Sequence, residues 1–132
     1  MIKTIELKSS RRIEFIDITE NINNIIRKSG IFEGACFINV PHTTAAVTIN
    51  ENSDSDVLRD ILNKTGKLIP PNEGYTHSEG NSDSHIKSSL YGPSLSLIIN
   101  QSKLLLGIWQ AIYFCEFDGP RNRQVYIKLI NG

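Results

Sequence analysis

Net charge is the first thing this chain lacks: its 14 Lys and Arg are matched by 14 Asp and Glu. Without a basic excess there is no long-range pull toward a polyanion, so no nucleic-acid partner is expected. Low net charge also leaves self-association unopposed. Long hydrophobic runs are absent too. Nothing approaches the ~20 apolar residues of a membrane span, so no membrane partner is expected. The opening Met1-Ile2-Lys3-Thr4-Ile5-Glu6 alternates and carries charge early, unlike the apolar core of a signal peptide. These absences together predict a cytoplasmic protein. Cysteine is scarce: Cys36 and Cys115 sit in apolar, strand-like stretches with no CxxC spacing. They read as two reduced, buried thiols.

What is present fits one globular domain over residues 1–132, with 39 % hydrophobic and 21 % charged residues. Residues 2–7 and 11–18 read as a pair of strands. Thr19 can cap a helix carrying Ile22, Ile25 and Ile26, which Gly30 stops. Two strands follow, Gly34 to Val40 and Thr44 to Asn50, with Pro41-His42 as the turn between them. Ser53 or Asp54 can cap a second helix with Val57, Leu58, Ile61 and Leu62 as its stripe, ended by Gly66. A third helix is predicted from Ser82 to Tyr91, with Ile86 and Leu90 on its apolar face and Gly92-Pro93 after it. The remainder reads as strands over 94–100, 103–107, 108–117 and 123–130. Asp118-Gly119-Pro120 is the turn expected to pair the last two. The sum is an α+β fold: a mainly antiparallel β-sandwich of about seven or eight strands with two or three short helices.

All three histidines, His42, His77 and His85, sit in polar, turn-rich segments rather than among core residues. Imidazole is the commonest metal ligand and the common general base near neutral pH. If a loop folds back, three imidazoles can hold a divalent metal with one open position, as hydrolytic zinc sites do. No HExxH spacing fixes that geometry, and three separate surface histidines are the plain alternative. Glu79 can be a ligand, an orienting neighbour or a base, and Asn81 stands beside it. Thr43 and Thr44 offer hydroxyls. Arg121 and Arg123, two apart on a strand start, are expected to point the same way and clamp a phosphate or carboxylate. Asp56 and Asp60 share a helix face and can hold Mg²⁺ with a substrate phosphate, although a solvated face explains them as well. Trp109 reads as a core or interface residue and Gln110 as a pocket-lining one.

The chain carries, in order, His42-Thr43-Thr44, Asn50-Glu51-Asn52, His77-x-Glu79-Gly80-Asn81, His85, Gly107-x-Trp109-Gln110 and Glu116-Phe117-Asp118-Gly119-Pro120-Arg121. With these in order over nearly its whole length, the chain resembles the YjbQ-like family, often named secondary thiamine-phosphate synthase. Ser102 and Ile108 depart from that family's usual glycine and threonine. The resemblance implies a homotrimer with sites near subunit boundaries and a metal held by His42, His77 and His85, with zinc the first choice and Mg²⁺ an option. The expectation is a metal-dependent enzyme acting on a phosphorylated small molecule, as in thiamine-phosphate synthesis, where a thiazole phosphate displaces pyrophosphate from a pyrimidine-methyl diphosphate. In it, Glu79 and Asn81 are the catalytic candidates, and Thr43, Thr44, Gln110, Arg121 and Arg123 the substrate contacts. The alternative is a non-catalytic trimeric protein that binds a metabolite or metal.

Overall fold

The structure is a computed structural model describing all 132 residues. In chain order the elements are β1 (Ile2–Lys8), β2 (Glu14–Asp17), α1 (Thr19–Ser29), β3 (Gly34–Asn39), β4 (Ala45–Glu51), α2 (Ser55–Leu68), α3 (Ser82–Tyr91), β5 (Ser94–Asn100), β6 (Lys103–Leu104), β7 (Gln110–Glu116) and β8 (Asn122–Asn131). The strands form a five-stranded sheet, ordered β1-β8-β3-β5-β6, and a three-stranded sheet, ordered β2-β7-β4. Every strand pair is antiparallel. The expected α+β sandwich is the fold observed.

Alternation builds the larger sheet. Along β8, Arg123, Val125 and Ile127 turn inward while Gln124, Tyr126 and Lys128 face out. β7 lies between two neighbours and is buried on both faces. Ile112 and Phe114 join the main core with Ile22, Ile26, Ile38 and Val125. Ala111, Tyr113 and Cys115 join Ala46 and Phe117 in a second cluster, against which Phe15, Leu58 and Tyr91 pack. Each fully buried isoleucine contributes about 1.5–3 kcal/mol, so α1 is held chiefly by Ile22 and Ile26. Gly34 lets β3 lie close against β8; a Cβ there would stand 2.0 Å from the Ile130 carbonyl oxygen.

Several local expectations change. β1 and β2 do not pair: β1 joins β8 and β2 joins β7, in different sheets. β7 and β8, expected to pair across Asp118-Gly119-Pro120, also lie in different sheets. So do β3 and β4, which makes Pro41-His42 a crossing between layers rather than a hairpin turn. Thr19 opens α1 as its first residue and accepts the Ile112 N–H through its hydroxyl at 2.9 Å, instead of capping. Asp54 caps α2 by accepting the Asp56 N–H at 2.9 Å. α2 runs past Gly66 to Leu68, because a lone helical glycine costs only about 1 kcal/mol. No helix is long and apolar enough to cross a membrane.

Candidate functional site: a polar cleft where the sheets exchange strands

The chain passes between the sheets three times at one end of the sandwich: from β1 to β2, from β3 to β4, and from β7 to β8. Register puts these passages together. Glu116, the last residue of β7, faces both Glu14 and Ala45, the first residues of its neighbours. Lys8, the last residue of β1, faces Asn122, the first of β8. Backbone bonds stitch the passages, with Ser9 N–H to Arg121 O at 3.0 Å, Gly119 N–H to Arg12 O at 2.9 Å and Phe117 N–H to Thr44 O at 3.2 Å. Against this junction lie the loop before α3 and its first turn. Between them opens a cleft of about 620 Å³ lined by His42, Thr43, Thr44, Glu79, Asn81, His85, Asp118, Arg121 and Arg123, beside Val40 and Pro41. That volume suits a small molecule, and the polar lining is unusual for an ordinary apolar ligand pocket.

His42 is half-buried in the passage from β3 to β4. Its Nε2 accepts the backbone N–H of Gln124 on β8 at 2.9 Å. A nitrogen that accepts a hydrogen bond carries no proton, so the neutral ring holds its hydrogen on Nδ1. Burial, then the nearby Arg123 charge, pushes this imidazole below its ordinary value. Both effects favour the neutral ring, with its hydrogen on Nδ1, in a side chain that lines the cleft.

Within the chain, the three histidines do not gather into one group. His77 and His85 meet edge to face with ring centroids 5.4 Å apart. They share an adjoining hollow with Tyr75 and Ile86, which leaves His77 outside the cleft. No three His, Cys, Asp or Glu side chains come together in a way that could hold an ion. One nitrogen of His42 is already committed to Gln124. By themselves, then, the residues of one chain do not assemble the expected zinc or Mg²⁺ site. On α2, Asp56 pairs with Arg59 at 2.8 Å on an exposed face, which is the solvated arrangement.

Nor do the two arginines form a free phosphate clamp. Arg123 is buried and turned onto Glu116, with Nε to Oε1 at 2.8 Å, a second bond to Oε2, and Nη2 to the Thr44 hydroxyl at 2.9 Å. Arg121 precedes β8, is exposed, and folds back on Asp118, donating to its carbonyl at 2.7 Å and its Oδ2 at 2.9 Å. Asn81 also donates to Asp118 Oδ2, at 2.8 Å. Because a carboxylate only accepts, this bond fixes the amide orientation. It leaves Asn81 Oδ1 buried with no partner. Burial alone would raise the Asp118 carboxyl, but the bonds from Asn81 and Arg121 prevail and hold it below the usual carboxylate range. Glu79 has neither a hydrogen-bonding nor an ionic partner and is exposed at the rim.

α3, which carries His85, is inverted relative to its expected polarity. Asp83, Ser84, Lys87 and Ser88 are its buried residues, while Leu90 is 71 % exposed. The buried side is held by polar bonds. Arg12 grips Asp83 with two bonds of 3.0 and 3.1 Å, and Lys87 reaches the same carboxylate at 3.3 Å. The Ser84 hydroxyl donates to Phe117 O at 2.6 Å and that of Ser88 to Ala45 O at 2.7 Å. This bonding fixes Asn81 and His85 at the cleft.

Of the residues singled out from sequence, His42, Thr43, Thr44, Glu79, Asn81, His85, Arg121 and Arg123 share the cleft. Gln110 does not. It pairs with Glu51 at the opposite end of β4 from Ala45, and its Oε1 accepts the Gly107 N–H at 2.7 Å. Trp109 lies before β7 and is 60 % exposed. Asp118, Glu116 and Ser9 were missed. The available signal was Glu116 itself: a carboxylate closing the apolar run Ala111–Cys115 must be paired if buried. The Ser9 hydroxyl meets it at 2.6 Å.

The fold and cleft define a small two-sheet α+β protein whose polar site is built at the strand exchanges. A family model described as UPF0047 protein YjbQ-like matches residues 3–132, and the chain belongs to this family. It is 53 % identical over 125 residues to a UPF0047 protein of Methanocaldococcus jannaschii, covering 95 % of this chain and 91 % of that one. It is 47 % identical over 131 residues to YugU of Bacillus subtilis, covering 98 % and 99 %. Among solved structures, a YjbQ/UPF0047 protein of Clostridium acetobutylicum superposes with a TM-score of 0.94 at 50 % identity, covering 97 % of this chain and 99 % of that one. A Sulfolobus solfataricus protein described as YbjQ-like and of unknown function superposes with a TM-score of 0.94 at 31 % identity, covering 100 % and 97 %. These relatives bear family designations or are described as of unknown function; none is described as a thiamine-phosphate synthase. With no gathered metal ligands, that corrects the expectation of a metal-dependent thiamine-phosphate synthase.

Proposed function

We propose that the chain is an enzyme whose cleft binds a small polar carbonyl compound and moves a proton on it. The observation that carries this reading is the bond from Gln124 N–H to His42 Nε2, which leaves Nδ1 to carry the hydrogen of a neutral ring that lines the cleft. A neutral imidazole can polarise a carbonyl oxygen without surrendering its proton. Glu79, unpartnered at the rim, is the base. It takes a proton from the carbon beside the carbonyl, and the electron pair moves onto the oxygen that His42 holds. Reprotonation returns the compound or its isomer. Carboxylate base and neutral imidazole donor are the two parts this chemistry requires.

Deuterium uptake tests the reading. Hydroxyacetone in D₂O is followed by proton NMR with the intact protein and with Glu79→Gln. The expected result is exchange above the buffer rate, lowered about 10²–10⁴-fold in the variant. No excess exchange across a panel of small hydroxy- and aminocarbonyl compounds overturns it.

The protein is further proposed to work as a homotrimer. In support, Leu105, Ile108 and Trp109 are 55 %, 92 % and 60 % exposed, a cost that a neighbouring subunit relieves. Light scattering on the eluting protein is expected to give three times the 14.8 kDa chain mass; a monomer mass contradicts it.

A further inference from the structure

Charge and hydrogen-bonding capacity in the cleft are unevenly matched. Arg123 is buried against Glu116, and Arg121 holds Asp118 through Nε and Nη2. Of the charged side chains lining the cleft, Glu79 alone has no counter-ion. Asp118 accepts its two side-chain bonds, from Asn81 and Arg121, on Oδ2, and none reaches Oδ1. Asn81 Oδ1 is a further acceptor, buried and unpaired in the free chain. Leaving such a group unsatisfied is costly, and only a donor can relieve it. A phosphate or carboxylate group brings acceptors alone and meets Glu79 with like charge. A protonated amine brings three donors and the opposite charge.

We infer that the ligand of this cleft carries a protonated primary amine, placed among Glu79, Asp118 and Asn81 while His42 holds its carbonyl oxygen. The amine's charge then answers Glu79, and its hydrogens are directed to Asp118 Oδ1, which takes no side-chain bond. The inference rests on the proposal that the cleft is the ligand site, and it adds the ligand's chemical class. Because Glu79 is in an exposed loop without bonds, Glu79→Gln removes the charge without disturbing the packing.

Three probes of similar frame separate the possibilities: aminoacetone, hydroxyacetone and dihydroxyacetone phosphate, each titrated into the ¹⁵N-labelled full chain. The backbone amides of Thr43, Asn81 and Gln124 report on the cleft. The expected result is aminoacetone binding about tenfold more tightly than hydroxyacetone, as one charged hydrogen bond supplies, with the phosphate weakest. Added salt and Glu79→Gln should each shrink the amine's advantage. Equal affinities, or tightest binding of the phosphate, would overturn the amine assignment while leaving the cleft a ligand site. Silence of all three amides with every probe would overturn the amine and the ligand site together.

Discussion

Glu116 shows how much a single buried carboxylate governs here. It ends the most deeply buried strand and takes bonds from Arg123, from the Ser9 hydroxyl at 2.6 Å and from the Asp118 N–H at 3.0 Å. Burial alone would raise its carboxyl, but these donors prevail and hold it below its ordinary value. A depressed carboxyl stabilises the fold fully above the unfolded value, about 4.3, and that contribution is lost as pH falls through the folded value. Arg123→Met is therefore expected to cost about 3–5 kcal/mol in urea denaturation at pH 7, because it strands a buried charge. Arg123→Met with Glu116→Leu should recover most of that loss; a double variant as unstable as the single one contradicts the pairing. Glu116 left a signal in the sequence, a carboxylate closing an apolar run, but its partner did not. Arg123 read as a surface clamp because strand periodicity says which residues share a face, not that Arg121 precedes the strand. Asp118 was hidden inside Asp118-Gly119-Pro120, whose turn chemistry accounted for it without a site.

α3 is a helix whose buried side is polar. Its ends were legible, since Gly92-Pro93 cannot continue a helix. Its orientation was not. Ile86 and Leu90 are too few to outweigh Asp83, Ser84, Lys87 and Ser88, which find partners on Arg12 and on the carbonyls of Phe117 and Ala45. Those partners are 33 to 71 residues away, beyond any local pattern. Burial would raise the Asp83 carboxyl, yet the bonds from Arg12 and Lys87 hold it low. Asp83→Ala is expected to cost about 3–5 kcal/mol, since it leaves Lys87 buried and unpaired. Lys87→Met should cost clearly less, because Asp83 keeps its two-pronged bond to Arg12. Leu90→Ser should lie within about 0.5 kcal/mol of the parent, as exposed positions do. Thermal denaturation of the three variants checks the order; a large loss from Leu90→Ser would mean that another surface covers it.

Across the whole molecule, the positions of the strands followed from alternation and punctuation, but their partners did not. Short connections such as Pro41-His42 and Asp118-Gly119-Pro120 suit a hairpin as well as a passage between layers, and sequence alone favours the hairpin. The structure uses both as passages. That choice brings His42, Asp118 and Arg121 to one end of the sandwich, within reach of the loop before α3. It also lets β8 of one sheet lend the Gln124 N–H to a ring on the way into the other. The cleft was thus half legible. Its residues could be named because the polar histidines, and the polar side chains beside them in sequence, stand out. Their grouping as a metal centre could not be checked without knowing which crossings meet. The proposed chemistry depends on the state of that one ring. A two-bond ¹H–¹⁵N correlation spectrum of the imidazoles at pH 7 reads it directly. His42 is predicted to show a neutral ring protonated on Nδ1 and to gain its second proton only below the ordinary histidine range. A charged ring, or one protonated on Nε2, would contradict the donor role assigned to it.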